Sequence, residues 1–274
     1  MLSGCKPVSF SILSLQIKII ALEKQVVILE DLGIIDYKTA WDYQESLLNR
    51  NLEVKMQARK KEIKVSDAVI ESENSPTIAE TTKHFFLFCE HPPVYTLGKS
   101  GHMQNVLISR NDMDNNHIEF FHTNRGGDIT FHGLQQVVGY PILDLEKIYT
   151  DIGRYLRDLE EVIILTLASY GIFAGRSKGE TGVWLDAGIA GRERKICAMG
   201  IRCSRWVTMH GFALNVNTDL SYFNNIIPCG IANKQVTSIE KELGYKVDFD
   251  EVKQRIAANF QDVFPVIFSA ALAH

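Results

Sequence analysis

The apolar and polar positions settle into a regular pattern only from Val26 onward. "VVILEDLG" predicts a strand ended by Gly33. "DYKTAWDYQESLLNRNLEVKMQARKK" predicts an amphipathic helix with Ala40, Trp41, Leu47 and Leu48 among its apolar positions. Residues 58–82 are polar and contain Ser75-Pro76, which predicts an exposed connection or an inserted hairpin. "HFFLFCE" is a nearly continuous apolar run, as in a buried strand; His91-Pro92-Pro93 breaks it and "VYTLG" resumes. "IEFFHTNRGGDITFHG" and "QQVVGYPILDLEKI" are strand-like runs around a glycine-containing loop. Ile152, Leu156, Leu159, Ile163 and Leu167 share one helical face, and Gly171 supplies a stop. Strand-like pieces follow ("TGVWL", "KICAMGIRC", "HGFALNVN"), then a capping box at Thr237-x-x-Glu240, then a last helix in "DFDEVKQRIAANFQDVF". This order predicts an α/β chain of the α+β kind: a single domain over residues 25–270, with a mixed sheet flanked by helices.

Charge changes the picture only locally. A net charge of -4 argues against general attraction to nucleic acid or membrane. Between Arg176 and Arg205, however, basic residues outnumber Glu180, Asp186 and Glu193. That excess either receives an acidic partner or is a solvated face. Cys5, Cys89, Cys197, Cys203 and Cys229 form no CxxC pair and show no zinc spacing, which fits free thiols in a reducing cytoplasm. "LSGC" near the start looks like a lipoprotein cleavage box, but no apolar run precedes it. Residues 1–24 are therefore expected to be an extension, disordered or a misassigned start, with no targeting role.

Cys229 sits between Pro228 and Gly230 in "SYFNNIIPCGI". A rigid residue before it and a permissive one after suit an exposed, firmly aimed nucleophile, although a buried cysteine in a turn fits equally. A catalytic thiol needs a cation, a base or a helix N-terminus beside it to raise its thiolate fraction. Lys195, opening the strand "KICAMG", is either an exposed end residue or an inward anion holder or acid/base partner. In "RGGDITFHG" two glycines permit close approach of a ligand with the Arg125 guanidinium at hand; no GK[ST] follows, and the pair is also simply a turn. His132 and His210, each before a glycine, lack a third ligand at metal-site spacing, so no metal and no cofactor is expected.

Taken in order, "HPPVYTLGKSG", "RGGDITFHG", "VGYPILDL", "TGVWL", "KICAMGIR", "HGFALNVNTDL" and "IPCGI…VTSI" resemble the lipoyl(octanoyl) transferases of lipoate biosynthesis, from about Val26 to about Phe264. The resemblance implies the fold shared with lipoate- and biotin-protein ligases. It implies transfer of octanoate from octanoyl-acyl carrier protein to a lysine of lipoyl domains, in 2-oxoacid dehydrogenases or the glycine-cleavage H protein, in the cytoplasm. By motif, Cys229 falls on the family's acyl-accepting cysteine and Lys195 on its partner lysine. Arg125, Gly126, Gly127, Asp128, Ile129, Thr130, Phe131 and His132 fall on a segment lining the acyl site. Ala198, Met199 and Gly200 fall on a second, and Gly211, Phe212 and Ala213 on a third. An apolar tunnel is expected for the chain, with backbone N–H groups near the glycines for the carbonyl oxygen.

Three departures stand out. Where the family commonly has HGPGQ, this chain reads His132-Gly133-Leu134-Gln135-Gln136, which is expected to reshape the acyl pocket or slow the enzyme; Phe131 replaces the usual tyrosine; and Ile227 precedes Pro228 where asparagine or another residue is found. Three rivals remain. An ATP-dependent lipoate-protein ligase needs no PCG cysteine; a Cys-His hydrolase or amidotransferase would use His132 or His210 as base; a non-catalytic relative would bind acyl carrier without becoming acylated.

Overall fold

The computed structural model describes residues 24–67, 80–227 and 235–270. Its centre is β2 (His84–Glu90), whose alternate side chains serve two cores. Phe86 and Phe88 pack into one cluster, while Phe85, Leu87 and Cys89 pack into another on the opposite face. That is why the segment reads as an unbroken apolar run: period-two alternation is invisible when both faces are covered. On one side of β2 lie β1 (Gln25–Ile34) and then β11 (Val266–Ala270), both parallel to their neighbours. On the other lie β6 (Gln136–Ile142), β9 (Val207–Asn215) and β8 (Arg194–Ser204), all antiparallel. β10 (Gln235–Val236) pairs parallel to β8, and β7 (Val183–Leu185) pairs antiparallel to it, completing a mixed eight-stranded sheet among the described residues.

Helix α1 (Tyr37–Asp67) covers the face of Leu87 and Val138. Helices α3 (Ile152–Ala168) and α5 (Phe249–Val263) cover the other, with Leu159, Ile163, Leu167, Ile256 and Phe260 in its core. A three-stranded sheet of β4 (Glu119–His122), β3 (Val94–Leu97) and β5 (Ile129–His132) holds a third cluster around Tyr95 and Phe131. The short helices are α2 (Arg110–Asn115) and α4 (Ile239–Leu243).

Two expectations change. Helix α1 continues to Asp67, so the first ten positions of the expected connection are helical. "ARKKEIKVSD" contains good helix formers and neither glycine nor proline, and polarity alone does not end a helix. Residues 68–79 lie outside the described residues, as does nearly all of the 1–24 extension. At α4 the cap is Ser238, whose hydroxyl accepts from Lys241 N, and not Thr237. Thr237 is committed elsewhere: its backbone N–H donates to Lys195 O and its hydroxyl to Glu242.

Candidate active site

The small sheet faces β8 and β9 across a cavity of about 530 Å³, within the size range of small-molecule sites. It gathers most of the residues singled out in the sequence. Arg125, Gly127, Asp128, Ile129, Thr130 and His132 line it from the small sheet. Ala198, Met199, Gly200, Gly211, Phe212 and Ala213 line it from the large sheet, and Lys195 lies at the β8 end. Gly126 and Phe131 do not line it. The Gly126 N–H donates to Ile201 O at 2.9 Å, so it is not available to a substrate carbonyl. Phe131 points to the opposite face of β5, where its ring stacks on Tyr222 at 4.5 Å in the third cluster. The ring thus faces away from the cavity, and the Phe in place of tyrosine removes no group from its lining.

The Arg125 guanidinium does different work from that expected. At 7% exposure, its Nη2 donates to Thr96 O and Oγ1 at 2.6 and 2.9 Å, and its Nη1 to Gly126 O at 2.9 Å. It ties the RGG loop to β3. Gly98 allows the approach: a Cβ there would lie 2.3 Å from Gly127 O.

From Thr96 a buried relay runs across the cavity wall. The Thr96 hydroxyl, accepting from Arg125, donates to His132 Nε2 at 3.2 Å. His132 Nδ1 donates to Gln136 Oε1 at 2.9 Å, because the Gln136 amide already donates to Phe131 O and Asn215 Oδ1. Asn215 Nδ2 donates to Thr237 O, and Thr237 N–H to Lys195 O. Burial, with His91 and Arg125 nearby, holds His132 well below the ordinary imidazole range. His210 is likewise brought down to about 3 by burial, with Arg125 and Arg202 adding, and its Nε2 donates to Asn124 Oδ1 at 2.7 Å. Both nitrogens of His132 are committed, whereas His210 Nδ1 is buried without a hydrogen-bond partner; the depressed basicity of both rings makes them weak general bases. Among the described residues no group of three or more His, Cys, Asp and Glu side chains is arranged for a metal.

Sequence reasoning missed Gln136, Asn215, Tyr37 and Tyr140 as cavity residues. Tyr140 donates to His91 Nε2 at 2.7 Å, and His91 Nδ1 donates to Ile35 O. Gln136 and Asn215 lie inside segments already singled out, but nothing along the chain shows that two amides so far apart meet.

Lys195 is 8% exposed, with Nζ 4.5 Å above the Trp184 ring. Its backbone is paired on both sides, to Trp184 of β7 and Val236 of β10. Gly182, at φ 110, passes close: a Cβ there would lie 2.5 Å from Cys197 O and 3.6 Å from Lys195 Cε. The Gly182 N–H is held by Glu160 Oε1 at 2.9 Å; Glu160 is a fully buried carboxylate paired with Arg157 and Arg176. Cys229 lies outside the described residues. The chain on either side of its segment is anchored at the cavity: Ile227 N–H donates to Asn105 O at 2.8 Å, and Val236 pairs with Lys195, with Asn105 and Val236 both in the lining.

The basic stretch is largely neutralised internally. Arg176 pairs with Glu160 and Glu161, Arg192 and Arg194 with Asp186, Arg194 also with Glu242, and Arg202 with Glu45.

A mixed sheet with helices on both faces and a cavity over its central hairpin defines the class: this is the lipoate protein ligase fold. A bipartite lipoate protein ligase from Thermoplasma acidophilum covers 92% of this chain, and 88% of its own is covered, with a TM-score of 0.59 at 17% identity. Lipoate-protein ligase A bound with ATP covers 92%, with 90% of its own covered, a TM-score of 0.60 and 14% identity. Sequence carries the assignment further. The family described as lipoyl protein ligase A/B catalytic domain matches residues 36–261. An octanoyltransferase of Christiangramia forsetii is 51% identical over 89% of this chain and 97% of its own length. One of Flavobacterium psychrophilum is 54% identical over 86% and 95%. The chain belongs to this family, among its octanoyltransferases.

Proposed function

We propose that residues 25–270 form one catalytic unit that moves an octanoyl group from octanoyl-acyl carrier protein to a lipoyl-domain lysine through a thioester on Cys229. The observation that carries this reading is the cavity over β8 and β9, with buried Lys195 at one end and the residues flanking the Cys229 segment at its border. In the first half-reaction the Cys229 thiolate attacks the incoming thioester carbonyl. A carbon–sulfur bond to Cys229 forms, the bond to the carrier sulfur breaks, and the carrier thiolate takes up a proton. A lysine ammonium beside the thiol raises its thiolate fraction. In the second half-reaction the acceptor lysine attacks as a neutral amine. The amide bond forms, the bond to Cys229 breaks, and the amine proton passes to the Lys195/Cys229 pair. Exchange of one thioester for another is nearly balanced and thioester to amide runs downhill, so no ATP enters.

Ala198, Gly200 and Ala213 give the octanoyl chain a low floor, with Met199 and Phe212 closing it toward the core. Carrier and lipoyl domains are the macromolecular substrates, with 2-oxoacid dehydrogenases and the glycine-cleavage H protein as acceptors and the cytoplasm as the site. No helix among the described residues is long and apolar enough to cross a membrane. The hydrolase alternative is disfavoured because burial depresses both His132 and His210, which makes each a weak general base.

The test is intact mass after mixing the chain with octanoyl-acyl carrier protein and no ATP, beside Cys229→Ala. One octanoyl adduct, absent in the variant and discharged by a lipoyl domain, is expected. Activity appearing only with ATP and free octanoate would replace this reading with a ligase.

A further inference from the structure

The aspartate of the RGGD segment has no assigned task, and its surroundings give it one. Among the described residues the Asp128 carboxylate is held by three N–H donors and by no ion pair. Oδ1 accepts from its own neighbour, Ile129 N, at 2.7 Å and from His102 N at 3.3 Å, and Oδ2 accepts from Asn105 Nδ2 at 2.6 Å. Asn105 is buried at the end of the short 3-10 turn Met103–Asn105, and its backbone carbonyl is the acceptor for Ile227 N–H at 2.8 Å. Around that contact the next residues zip together: Val106 bridges Ile226, and Leu107 and Ile108 both donate to Asn225 O. A second strap runs in parallel, for Tyr95 OH donates to Tyr222 O and accepts from Asn225 Nδ2.

We infer that Asp128 is a positioning residue for acyl transfer: through Asn105 it fixes Ile227, two residues before Cys229 in the chain. The inference rests on the acyl-enzyme reading above. The carboxylate bonds orient the Asn105 amide, the amide fixes the turn, and the turn's carbonyl holds Ile227. An oriented nucleophile is sensitive to small displacements, and an error of about 1 Å costs on the order of 100-fold in rate. The same logic explains why this loop carries an acid rather than an amide or hydroxyl: three N–H donors converge on it, and only a carboxylate accepts from all three without a donor of its own.

A reciprocal exchange tests it in the full chain. Asn105→Asp sets two carboxylates face to face, and neither can donate. Adding Asp128→Asn restores one N–H···O bond with the roles exchanged. Single-turnover octanoylation of Cys229 from octanoyl-acyl carrier protein, followed by intact mass, is expected to slow about 100-fold in Asn105→Asp. The carrier concentration for half-saturation should stay nearly constant, and the exchanged pair should recover most of the rate. Asp128→Ser, which keeps an acceptor for Ile129 N–H, is the second variant and should be slow as well. Unfolding midpoints of all variants are measured beside the rates. Charging at the wild-type rate in Asn105→Asp and Asp128→Ser would overturn the inference, as would an exchanged pair that regains the midpoint but not the rate. A wild-type chain that takes no octanoyl adduct would overturn the acyl-enzyme reading and this inference with it.

Discussion

Gly182 lies so close to β8 that a Cβ would press on Cys197 O beside the Lys195 stem, and a methyl group tests that close approach. At φ 110 an alanine is strained, and its Cβ would sit 2.5 Å from Cys197 O. Gly182→Ala is expected to cost roughly 1–3 kcal/mol of stability in urea unfolding, with octanoyl transfer falling below what the unfolded fraction explains. Unchanged stability would show that β7 shifts at no cost. The buried imidazoles make a second residue-level prediction. His84 and His91 are depressed to about 4 and His210 to about 3, in each case mainly by burial. Each therefore binds fewer protons folded than unfolded, where the reference value is about 6.5. Unfolding then takes up protons, so stability is complete above about pH 6.5 and declines as pH falls toward 4. Urea midpoints measured at pH 7.5, 6 and 5 should fall in that order; a flat profile would mean that these rings protonate in place.

At the scale of elements, the altered HGLQQ segment shows how a local departure is absorbed. Gln135 takes the left-handed backbone that a glycine would adopt freely, at φ 60. The turn is held all the same: Gln135 N–H donates to Glu90, its carbonyl accepts from Val216, Asn217 and Thr218, and its side chain accepts from Asn217. Leu134 is half exposed, and neither residue lines the cavity. The two substituted side chains therefore do not themselves form part of the cavity wall. Gln135→Gly should change stability by no more than about 1 kcal/mol, relief of strain offsetting greater chain entropy and a lost hydrogen bond. Its octanoyl transfer should match the wild type, and a large fall would place this turn in the site after all. Asn215→Ala is the opposite case, since it strips the Gln136 amide of one of its two acceptors and Thr237 O of its side-chain donor inside the relay. A loss of about 1–3 kcal/mol is expected from differential unfolding.

These elements also show what a lone sequence discloses. β2, α3 and α5 were legible because apolar residues recur at the period of the structure. The three cavity segments were legible because their residues lie together along the chain. The relay was not, since His132, Asn215 and Thr237 meet only through strand pairing. Glu160 was hidden for a related reason: a charge at a core position of α3 makes sense only once Arg157, Arg176 and Gly182 are seen around it.

For the whole molecule, the question is which surface receives the acidic carrier. Arg202 is not available for that role. Its Nη1 lies 2.7 Å from Glu45 on α1, and Glu45 also accepts from Trp41 and from Asn124, the partner of His210. This cluster joins α1, β8, β9 and the approach to the RGG loop at one end of the site, so charge reversal there strikes the fold. Arg205 differs. With Trp206 it forms the two-residue turn between β8 and β9, both at positive φ as such turns require, and it is exposed. If the carrier docks on this face, Arg205→Asp, a residue tolerated in that backbone region, should raise the carrier KM and flatten its salt dependence while leaving the unfolding midpoint in place. Arg202→Glu should lower the midpoint first, with any loss of transfer following from it. An unchanged KM in Arg205→Asp would remove this hairpin from the docking surface and direct the search to exposed Lys99, Lys178 and Arg192, which lie in other loops.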